Sequence, residues 1–532
     1  MQETNQASNS TVYSKPRTFI LSSLFVLAAG LAASLTTVLV MGILRLAAGI
    51  PTPVELFSYY ALKQLSAGRF VSLLIAFSPN AKTAPLGLAI LGMIGIGTLL
   101  GLLYAALARI QLPADSYRPR RREWLAALAF AVVMALVGAI LFHNELRQNQ
   151  FGLPIGWSTT LSILGLLVDF VVYGVILCLA YRAILPKRTI PGTPAQSRRL
   201  LLSRAGVAAL SVGASVGTLG VIRDYLNGYT SYDGMRTPSP NNVTPPITPN
   251  ADHYVVTQNA IDPTPNIDLW RLEVTGLVKN GGGYTYAEMQ QLPSTSRAIT
   301  LECISNEVGA NLMSTAIWQG VTLKTLLERH GGAQSSARYV AFYSVDGYTV
   351  SLPLDELLEV DPLIAWRMNG AELPQRHGFP LRVLVPGRFG EENPKWLTRI
   401  ELTASFVGGL YSDQGWYNGP LHLTSRIDRP KGHVALGQPV EVGGIAFGGS
   451  RGIKKVEISV NKSMTWQEAT LQPALSQDAW VLWTWQWKPS QAGKNTLTVR
   501  ATDGTGELQT SEQQITVPGG AKGLHTVTVM VE

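Results

Sequence analysis

Cysteine is almost absent: the chain of 532 residues holds two, Cys178 and Cys303. That count excludes a disulfide scaffold, a four-cysteine zinc site and a four-thiolate iron–sulfur cluster. No C-x-x-C-H run occurs, so haem attached through paired thioethers is excluded as well. Charge is scarce, at 15% of residues, where a soluble protein carries about a quarter. Internal repeats of solenoid period and low-complexity tracts are also missing. The net charge of +8 would suit a nucleic-acid partner, but the placement of the charges argues otherwise.

What is there is a chain of two textures. Phe19 to Leu44, Leu86 to Ala108, Trp124 to Phe142 and Thr160 to Leu185 are nearly free of formal charge. Each has about the 20 residues a helix needs to cross a bilayer. Ala205 to Ile222, rich in Gly, Ala and Ser, is a weaker fifth span. Val54 to Phe77 is apolar but interrupted by Lys63 and Arg69, and reads as an outer loop or re-entrant piece.

Cations set the orientation. Arg109, Arg118, Arg120, Arg121 and Arg122 precede the third span; Arg182, Lys187, Arg188, Arg198, Arg199 and Arg204 fall between the fourth and fifth. The positive-inside rule puts both segments in the cytoplasm with Lys15 and Arg17, and everything after residue 223 outside. The partner is then a lipid bilayer, the cytoplasmic membrane, and not nucleic acid. His143 is the only histidine in the spans, at the outer end of the third, which argues against a bis-histidine haem between them. Asp169 is the one carboxylate in hydrocarbon; it reads either as a proton or quinone contact or as a satisfied polar residue within the bundle. Cys178 on the same span reads as packing.

The transmembrane bundle occupies residues 1–225. A stretch over 226–252, with Pro238, Pro240, Pro245, Pro246 and Pro249, reads as an extended tether. Residues 253–424 mix short β runs (270–274, 298–302, 338–343) with a helical piece at 322–328 that stops at Gly331-Gly332, an α+β pattern. Residues 425–532 alternate as strands at 440–442, 455–460, 481–485 and 496–500, with Gly or Asn turns between them, which predicts an immunoglobulin-like β-sandwich. Its Trp-rich strand 480–487 reads as core and inter-domain packing.

Cys303 ends an apolar strand where the pattern breaks into Ile304-Ser305-Asn306. A lone cysteine is ordinarily a small buried hydrophobe. Its surroundings say more. Thr300-Leu-Glu-Cys-Ile-Ser-Asn306, Trp318-Gln-Gly-Val-Thr-Leu323, Gly347-Tyr-Thr-Val-Ser351, His377-Gly-Phe-Pro-Leu-Arg382 and Lys395-Trp-Leu-Thr-Arg399 closely resemble the molybdenum domain of the sulfite oxidase family. Ser459-Val-Asn-Lys-Ser-Met-Thr-Trp466 resembles that family's C-terminal, dimerisation-type domain. The resemblance covers residues 253–532 and leaves out the membrane half. It implies a molybdenum-dependent oxidoreductase carrying Mo-molybdopterin, with Cys303 as the protein's thiolate on the metal and Tyr348 in the oxo-transfer pocket. It also implies that His253, Tyr254, Asn259, Ser305, Asn306, Asp346, His377, Arg382, Asn393, Pro394 and Lys395 contact the cofactor. One soft thiolate beside a dithiolene suits molybdenum, and cations suit a pterin phosphate.

The chain departs from sulfite oxidases where a dianion would be bound. Their arginines are replaced here by Val255-Val-Thr257 and Val308, and no Arg occurs in Pro518 to His525. The loss of several charge-assisted contacts, at about 1.5–3 kcal/mol each, argues against sulfite. The haem domain of the animal enzymes is missing too, and the pattern is nearer to bacterial relatives. The expected function is membrane-anchored, outward-facing two-electron oxo transfer on a small substrate, fed by a cytochrome or quinone-linked electron partner. Sulfite dehydrogenase and methionine sulfoxide reductase-like activities are the enzymatic alternatives. A membrane-tethered binding protein that keeps the fold without catalysis is the alternative of another kind. Ser197-Arg-Arg-Leu-Leu-Leu-Ser203 resembles a twin-arginine export signal with Leu for the usual Phe. Such a route suits a domain folded around a cofactor made in the cytoplasm.

Overall fold

A computed structural model describes residues 15–76, 83–108, 118–184, 195–227, 244–259 and 262–532. Arg109, Lys187, Arg188 and residues 237–240 lie outside the described residues, as do the side chains of Lys15, Arg17 and Arg199. The chain divides into two compact units. One comprises Met1–Leu56, Thr83–Leu146 and Thr160–Asn227; the other comprises Phe57–Lys82, Arg147–Thr159 and Gly228–Glu532.

Every expected span is a helix. Helices α1 (Lys15–Ala48), α2 (Pro53–Lys63), α3 (Ala67–Ala76), α4 (Thr83–Leu107), α5 (Arg121–Leu141), α6 (Ile155–Ile184) and α7 (Ala195–Asn227) follow in order. Five of them, α1 and α4 to α7, are long and apolar enough to cross a membrane. In the first unit α1 and α4 approach closely because both are glycine at the crossing. A Cβ on Gly101 would stand 3.2 Å from the Gly30 Cα, and one on Gly30 would sit 2.4 Å from the Thr98 carbonyl oxygen. Val26, Ala29, Tyr104, Tyr173, Leu177 and Cys178 share the core of this unit, so Cys178 does pack. Arg182 is not a free cation: its Nε donates to Glu123 Oε2 at 2.8 Å, with both side chains buried. The sidedness argument therefore rests on the other arginines. Asp169 is 3% exposed, and its Oδ1 has no hydrogen-bond partner among the described residues.

The second unit contains the α+β domain. One sheet runs Gly282–Tyr284, Leu272–Gly276, Leu397–Thr403, Tyr339–Ser344, Thr349–Pro353, with a single parallel pairing between Leu272–Gly276 and Leu397–Thr403. The other runs Thr295–Glu302, Met313–Thr322, Leu363–Met368, Ala371–Glu372, with Arg382–Leu384 paired to Leu363–Met368. Trp270, Leu272, Phe342, Trp396 and Ile400 are among the residues of its main core. The helix expected at 322–328 is Leu323–Arg329, capped by the Thr322 side chain, and positive φ at Gly331 and Gly332 ends it.

The tether needs correction at its C-terminal end. Thr248 is fully buried and its N–H donates to Thr315 O at 2.7 Å, while Asn250 Nδ2 donates to Met368 O at 3.2 Å. Residues 244–252 are therefore built into the fold, with Thr248 and Asn250 bonded to Thr315, Met368 and Asn369 and Thr244 to Asp428. The helix pair read as an outer loop is likewise part of this unit from Phe57 onward.

The last hundred residues form two sheets. A four-stranded one contains Thr424–Arg429, Val440–Phe447, Val481–Trp487 and Thr470–Leu471; a five-stranded one contains His433–Val434, His525–Val531, Gly493–Asp503, Ile453–Ser459 and Gln467–Glu468. Ile427, Val442 and Trp483 from the first meet Val456, Val499 and Val529 from the second in one core. Trp480 packs with Ile304, Met313 and Phe389 of the α+β domain, and its Nε1 donates to Pro246 O at 3.1 Å.

Candidate active site

Strand Thr295–Glu302 delivers Cys303 to a hairpin loop that closes where the Cys303 N–H donates to Leu312 O at 2.9 Å. Asn306 braces this loop: its Nδ2 donates to Glu302 Oε1 at 2.9 Å and its Oδ1 accepts from Leu312 N–H at 2.8 Å. The Cys303 sulfur lies 3.0 Å from Ser305 Oγ. Burial pushes the thiol up to about 12, and the nearby Glu391 and Glu302 carboxyls push it the same way.

Over the loop lies the turn Gly390–Glu392, and only glycine fits at its start. A Cβ on Gly390 would stand 2.7 Å from the Tyr254 hydroxyl and 3.7 Å from the Cys303 Cα. Both carboxyl oxygens of Glu391 are buried, with no close hydrogen-bond partner among the described residues beyond the weak pull of the Glu391 and Ile304 N–H groups. Burial, with Glu392 beside it, holds the Glu391 carboxyl well above the usual carboxylate range. Sequence reasoning missed this residue. The adjacent pair Glu391-Glu392 inside an otherwise cation-bearing block was the available signal. Tyr348 reaches the same turn, donating its hydroxyl to the Glu391 carbonyl at 2.6 Å.

A second cluster is cationic. His253 is 3% exposed and stands edge-on to His377 (ring centroids 5.1 Å apart) and to Trp318 (5.6 Å). Arg382, on the strand Arg382–Leu384, lies 5.0 Å over the Trp318 ring and donates to the carbonyls of His377 and Asn393 at 3.1 and 3.3 Å. Lys395 Nζ donates to Arg376 O at 3.1 Å and lies 4.2 Å over the Trp396 ring. His253 Nε2 and Arg382 Nε are buried with no hydrogen-bond partner among the described residues. Burial drives His377 down to about 3, and Arg382, Lys395 and Arg376 all push the same way. Burial also lowers Arg382, to about 10. A buried guanidinium with an orphaned N–H beside two neutral imidazoles is costly unless an anion completes it.

Tyr254 joins the two clusters. Its ring stacks on His253 at 5.5 Å, and its phenol, held up mainly by burial, feels both Cys303 and Arg382. A third group lies to the side. Asp346 is 2% exposed and accepts from Asn259 Nδ2 at 2.7 Å, Gln258 Nε2 at 3.3 Å and the Tyr348 N–H at 3.2 Å. Asn393 turns inward: its Oδ1 accepts from Val385 N–H at 2.6 Å and its Nδ2 donates to Phe389 O at 2.7 Å, while the Pro394 carbonyl accepts from Val383 N–H. The expected site residues are thus brought together, but Asn306 and Asn393 use their side chains to hold loops and Asp346 uses its own to hold Tyr348.

A buried thiol at one pole and a buried guanidinium with an unpaired Nε at the other fit a group with a metal at one end and an anion at the other. Residues 260–410 match the family described as oxidoreductase molybdopterin binding domain, and residues 421–531 match the Mo-co oxidoreductase dimerisation domain. Mitochondrial sulfite oxidase of Mus musculus is 29% identical over 49% of this chain and 57% of its own length. NADH nitrate reductase 1 of Nicotiana tabacum is 28% identical over 42% of this chain and 31% of its own. A putative protein-methionine-sulfoxide reductase subunit of Azospira oryzae is 32% identical over 28% of this chain and 56% of its own. The sulfane dehydrogenase SoxCD of Paracoccus pantotrophus is a solved structure similar at a TM-score of 0.49 and 19% identity, over 57% of this chain and 88% of that one. This chain spans less than two thirds of the length of each of these curated relatives. Residues 260–531 thus carry the two domains of the sulfite oxidase-like molybdopterin oxidoreductases, whose cofactor is a molybdenum-bearing molybdopterin.

Proposed function

We propose that this chain is a membrane-anchored molybdenum oxidoreductase whose catalytic domain faces away from the cytoplasm and exchanges an oxygen atom with a small neutral substrate. The observation that carries this is the pairing of one buried thiol, Cys303, with the buried guanidinium of Arg382, whose Nε has no hydrogen-bond partner among the described residues. When bound, molybdenum in its pterin supplies two-electron oxygen-atom exchange. Cys303 supplies its one protein thiolate. Arg382 and Lys395 would neutralise the pterin's phosphate, Arg382 with a planar fork that lysine lacks, while His253 and His377 line the same place as neutral rings. Tyr254 joins the two poles. Asn259 and Asp346 hold the Tyr348 backbone, Tyr348 bonds the turn over Cys303, and Ser305 lies beside the sulfur.

Sulfite is a poor substrate for such a pocket. Val255 and Thr257 are buried, and the titratable groups acting on Cys303 are the carboxyls of Glu391 and Glu302. Among the described residues, the one cation bonded to the Cys303 loop, Arg426, is already engaged by Ala310 O, Asn311 and Asp428, so a dianion gains little there, whereas a neutral sulfoxide or N-oxide loses nothing. The name of the Azospira oryzae relative makes a sulfoxide the first substrate to try.

The domain boundaries we favour are 1–225 for the spans, a linker that ends near 243, the molybdopterin domain to 424, and an immunoglobulin-like sandwich from 425. Export by the twin-arginine route through Arg198 and Arg199 suits a domain that folds around its cofactor first. The electron partner is a cytochrome or quinone-linked protein.

The test uses the full chain purified in detergent. About one molybdenum per chain, and reduction of methyl sulfoxides with reduced viologen but no oxidation of sulfite, are the expected results. Cys303→Ser should abolish turnover while leaving the circular dichroism unchanged. Molybdenum-free protein from a cofactor-competent host, or a fully active Cys303→Ser variant, would refute the proposal.

A further inference from the structure

Helices α2 and α3 come from the segment between the first two apolar spans, yet from Phe57 onward they are bonded into the catalytic unit at three places. Tyr59 OH donates to Asn259 Oδ1 at 2.6 Å; Asn259 Nδ2 donates to Asp346 Oδ2 at 2.7 Å; the Tyr348 N–H donates to Asp346 Oδ1 at 3.2 Å. A helix residue thus reaches the backbone of Tyr348 through three successive hydrogen bonds. Gln414, 6% exposed, ties the junction of the two helices: its Nε2 donates to Leu62 O at 2.8 Å, and its carbonyl accepts from the Ala67 N–H at 3.2 Å. The Ala67 N–H is an end group of α3 that no intrahelical partner serves, and Leu62 O, near the end of α2, is shared with the Leu65 N–H. Finally, Phe70 stands edge-on to Tyr411 (6.3 Å) and Trp416 (6.1 Å), and Tyr411 stands edge-on to Tyr348 (5.9 Å). Both routes, polar and aromatic, end on Tyr348, whose hydroxyl is bonded to the turn over Cys303.

We infer that residues 57–70 complete the mouth of the active site, with Tyr59 a positioning residue for Tyr348 and Phe70 a specificity-determining residue. The inference rests on the oxo-transfer reading above. Phe70, Tyr348, Tyr411 and Trp416 are each half-buried, so their ring edges are shared between packing and an approaching ligand. Aromatic edges and faces attract polarizable sulfur and methyl groups and offer nothing to a compact dianion. The substrate class this mouth selects is a neutral sulfoxide flanked by apolar carbon. A catalytic domain cut away from its membrane half would lack Tyr59 and Phe70, and with them this wall.

The experiment compares wild type with Tyr59→Phe, Phe70→Ala and Phe70→Leu in the full chain. Dimethyl sulfoxide and methyl phenyl sulfoxide serve as probes with reduced viologen, alongside molybdenum content, the molybdenum EPR signal and hydrogen exchange. Molybdenum content should not change. Tyr59→Phe should lower kcat about tenfold at little change in KM, as loss of one positioning hydrogen bond does. It should also alter the EPR signal and speed amide exchange at residues 346–349. Phe70→Ala should raise KM for methyl phenyl sulfoxide about tenfold, with a smaller effect on dimethyl sulfoxide and with recovery in Phe70→Leu. Unchanged kinetics, EPR signal and exchange in Tyr59→Phe and Phe70→Ala overturn the inference. A wild type that holds molybdenum but reduces neither probe refutes the substrate class; unchanged exchange at 346–349 in Tyr59→Phe then refutes the positioning role separately.

Discussion

Arg382→Met separates a residue that holds a cofactor from one that merely holds the fold. Arg382 is fully buried, and burial lowers it from its ordinary value to about 10. Removing that charge relieves about 3 kcal/mol. Against this stand two long hydrogen bonds to the His377 and Asn393 carbonyls, together worth about 3 kcal/mol, and the contact over Trp318, worth about 1 kcal/mol. Without cofactor the variant should therefore lose only about 1 kcal/mol, because methionine keeps the stem packing. With cofactor the balance shifts. A guanidinium has five N–H donors; two point at carbonyls, and Nε is among those left. Two charge-assisted bonds to a phosphate are worth about 3–6 kcal/mol, which makes cofactor retention roughly 10²- to 10⁴-fold weaker in the variant. Molybdenum and pterin content after dialysis, and the melting temperature of protein from a host that makes no cofactor, are the two readouts. Full retention of molybdenum would refute the anion-site reading. A collapse of the cofactor-free fold would show that Arg382 is structural.

Three further outcomes follow from particular contacts. Gly390→Ala would place a Cβ 2.7 Å from the Tyr254 hydroxyl. It should lower both stability, by about 1–3 kcal/mol, and molybdenum content; wild-type values for both would contradict the close approach. His525 accepts the Ile427 N–H on Nδ1 at 2.9 Å, which only the neutral ring can do, and burial, with Arg426 nearby, lowers it to about 4. Its unfolded value is about 6.5, so the unfolded chain binds more protons between pH 6.5 and 4, and stability falls as pH drops through that window by about 3 kcal/mol at most. Urea melts of wild type and His525→Asn at pH 4.5 and 7.5 check this, and an equal pH slope in both would exclude His525 as the source. Asn306→Ala removes both braces of the Cys303 loop. It should cost about 2–3 kcal/mol and lower molybdenum content in parallel, and a variant with normal content would show that the loop holds its shape without them.

Much of this was legible in the sequence because the strongest signals are local. Charge-free runs of about 20 residues became α1 and α4 to α7, and the apolar run before Cys303 became the strand that presents it. Alternation in 440–500 became two sheets around one core. What escaped were relations between distant positions. Nothing in Tyr59 marks it as a partner of Asn259, 200 residues on. The prolines before residue 250 hid a segment whose threonine and asparagine side chains pair with the α+β domain. Glu391 was passed over because the block around it was read for cations, while its significance comes from burial without a partner. Asn393 and Asn306 turn their side chains to the loops they hold, and Asp346 turns its own to the Tyr348 N–H. A motif fixes which residues come close, not whether a side chain points at a ligand or back into the fold.

The two poles of the site also constrain how folding and cofactor loading are linked. At one end a buried thiol sits with the Glu391 and Glu302 carboxyls; at the other, Arg382 and His253 carry orphaned N–H or nitrogen groups. Neither pole is well solvated in the folded chain, and Tyr254, stacked on His253 and sharing a core with Cys303, joins them. A ligand with a cationic metal at one end and an anionic phosphate at the other relieves both, whereas a simple anion or a free metal relieves one. Loading should then stabilise the molybdopterin domain strongly, since the ligand binds the folded state alone. At a thousandfold excess over its dissociation constant the gain is about 4 kcal/mol. For a unit of this size that raises the melting temperature by roughly 8–16 °C. Phosphate alone should reproduce only a small part of the shift, and Arg382→Met should remove that part while leaving any effect of metal. Calorimetry on protein from cofactor-producing and cofactor-deficient hosts decides the matter. Equal melting temperatures for the two would mean that the poles are satisfied within the chain itself, and the electrostatic account of the site would have to be abandoned.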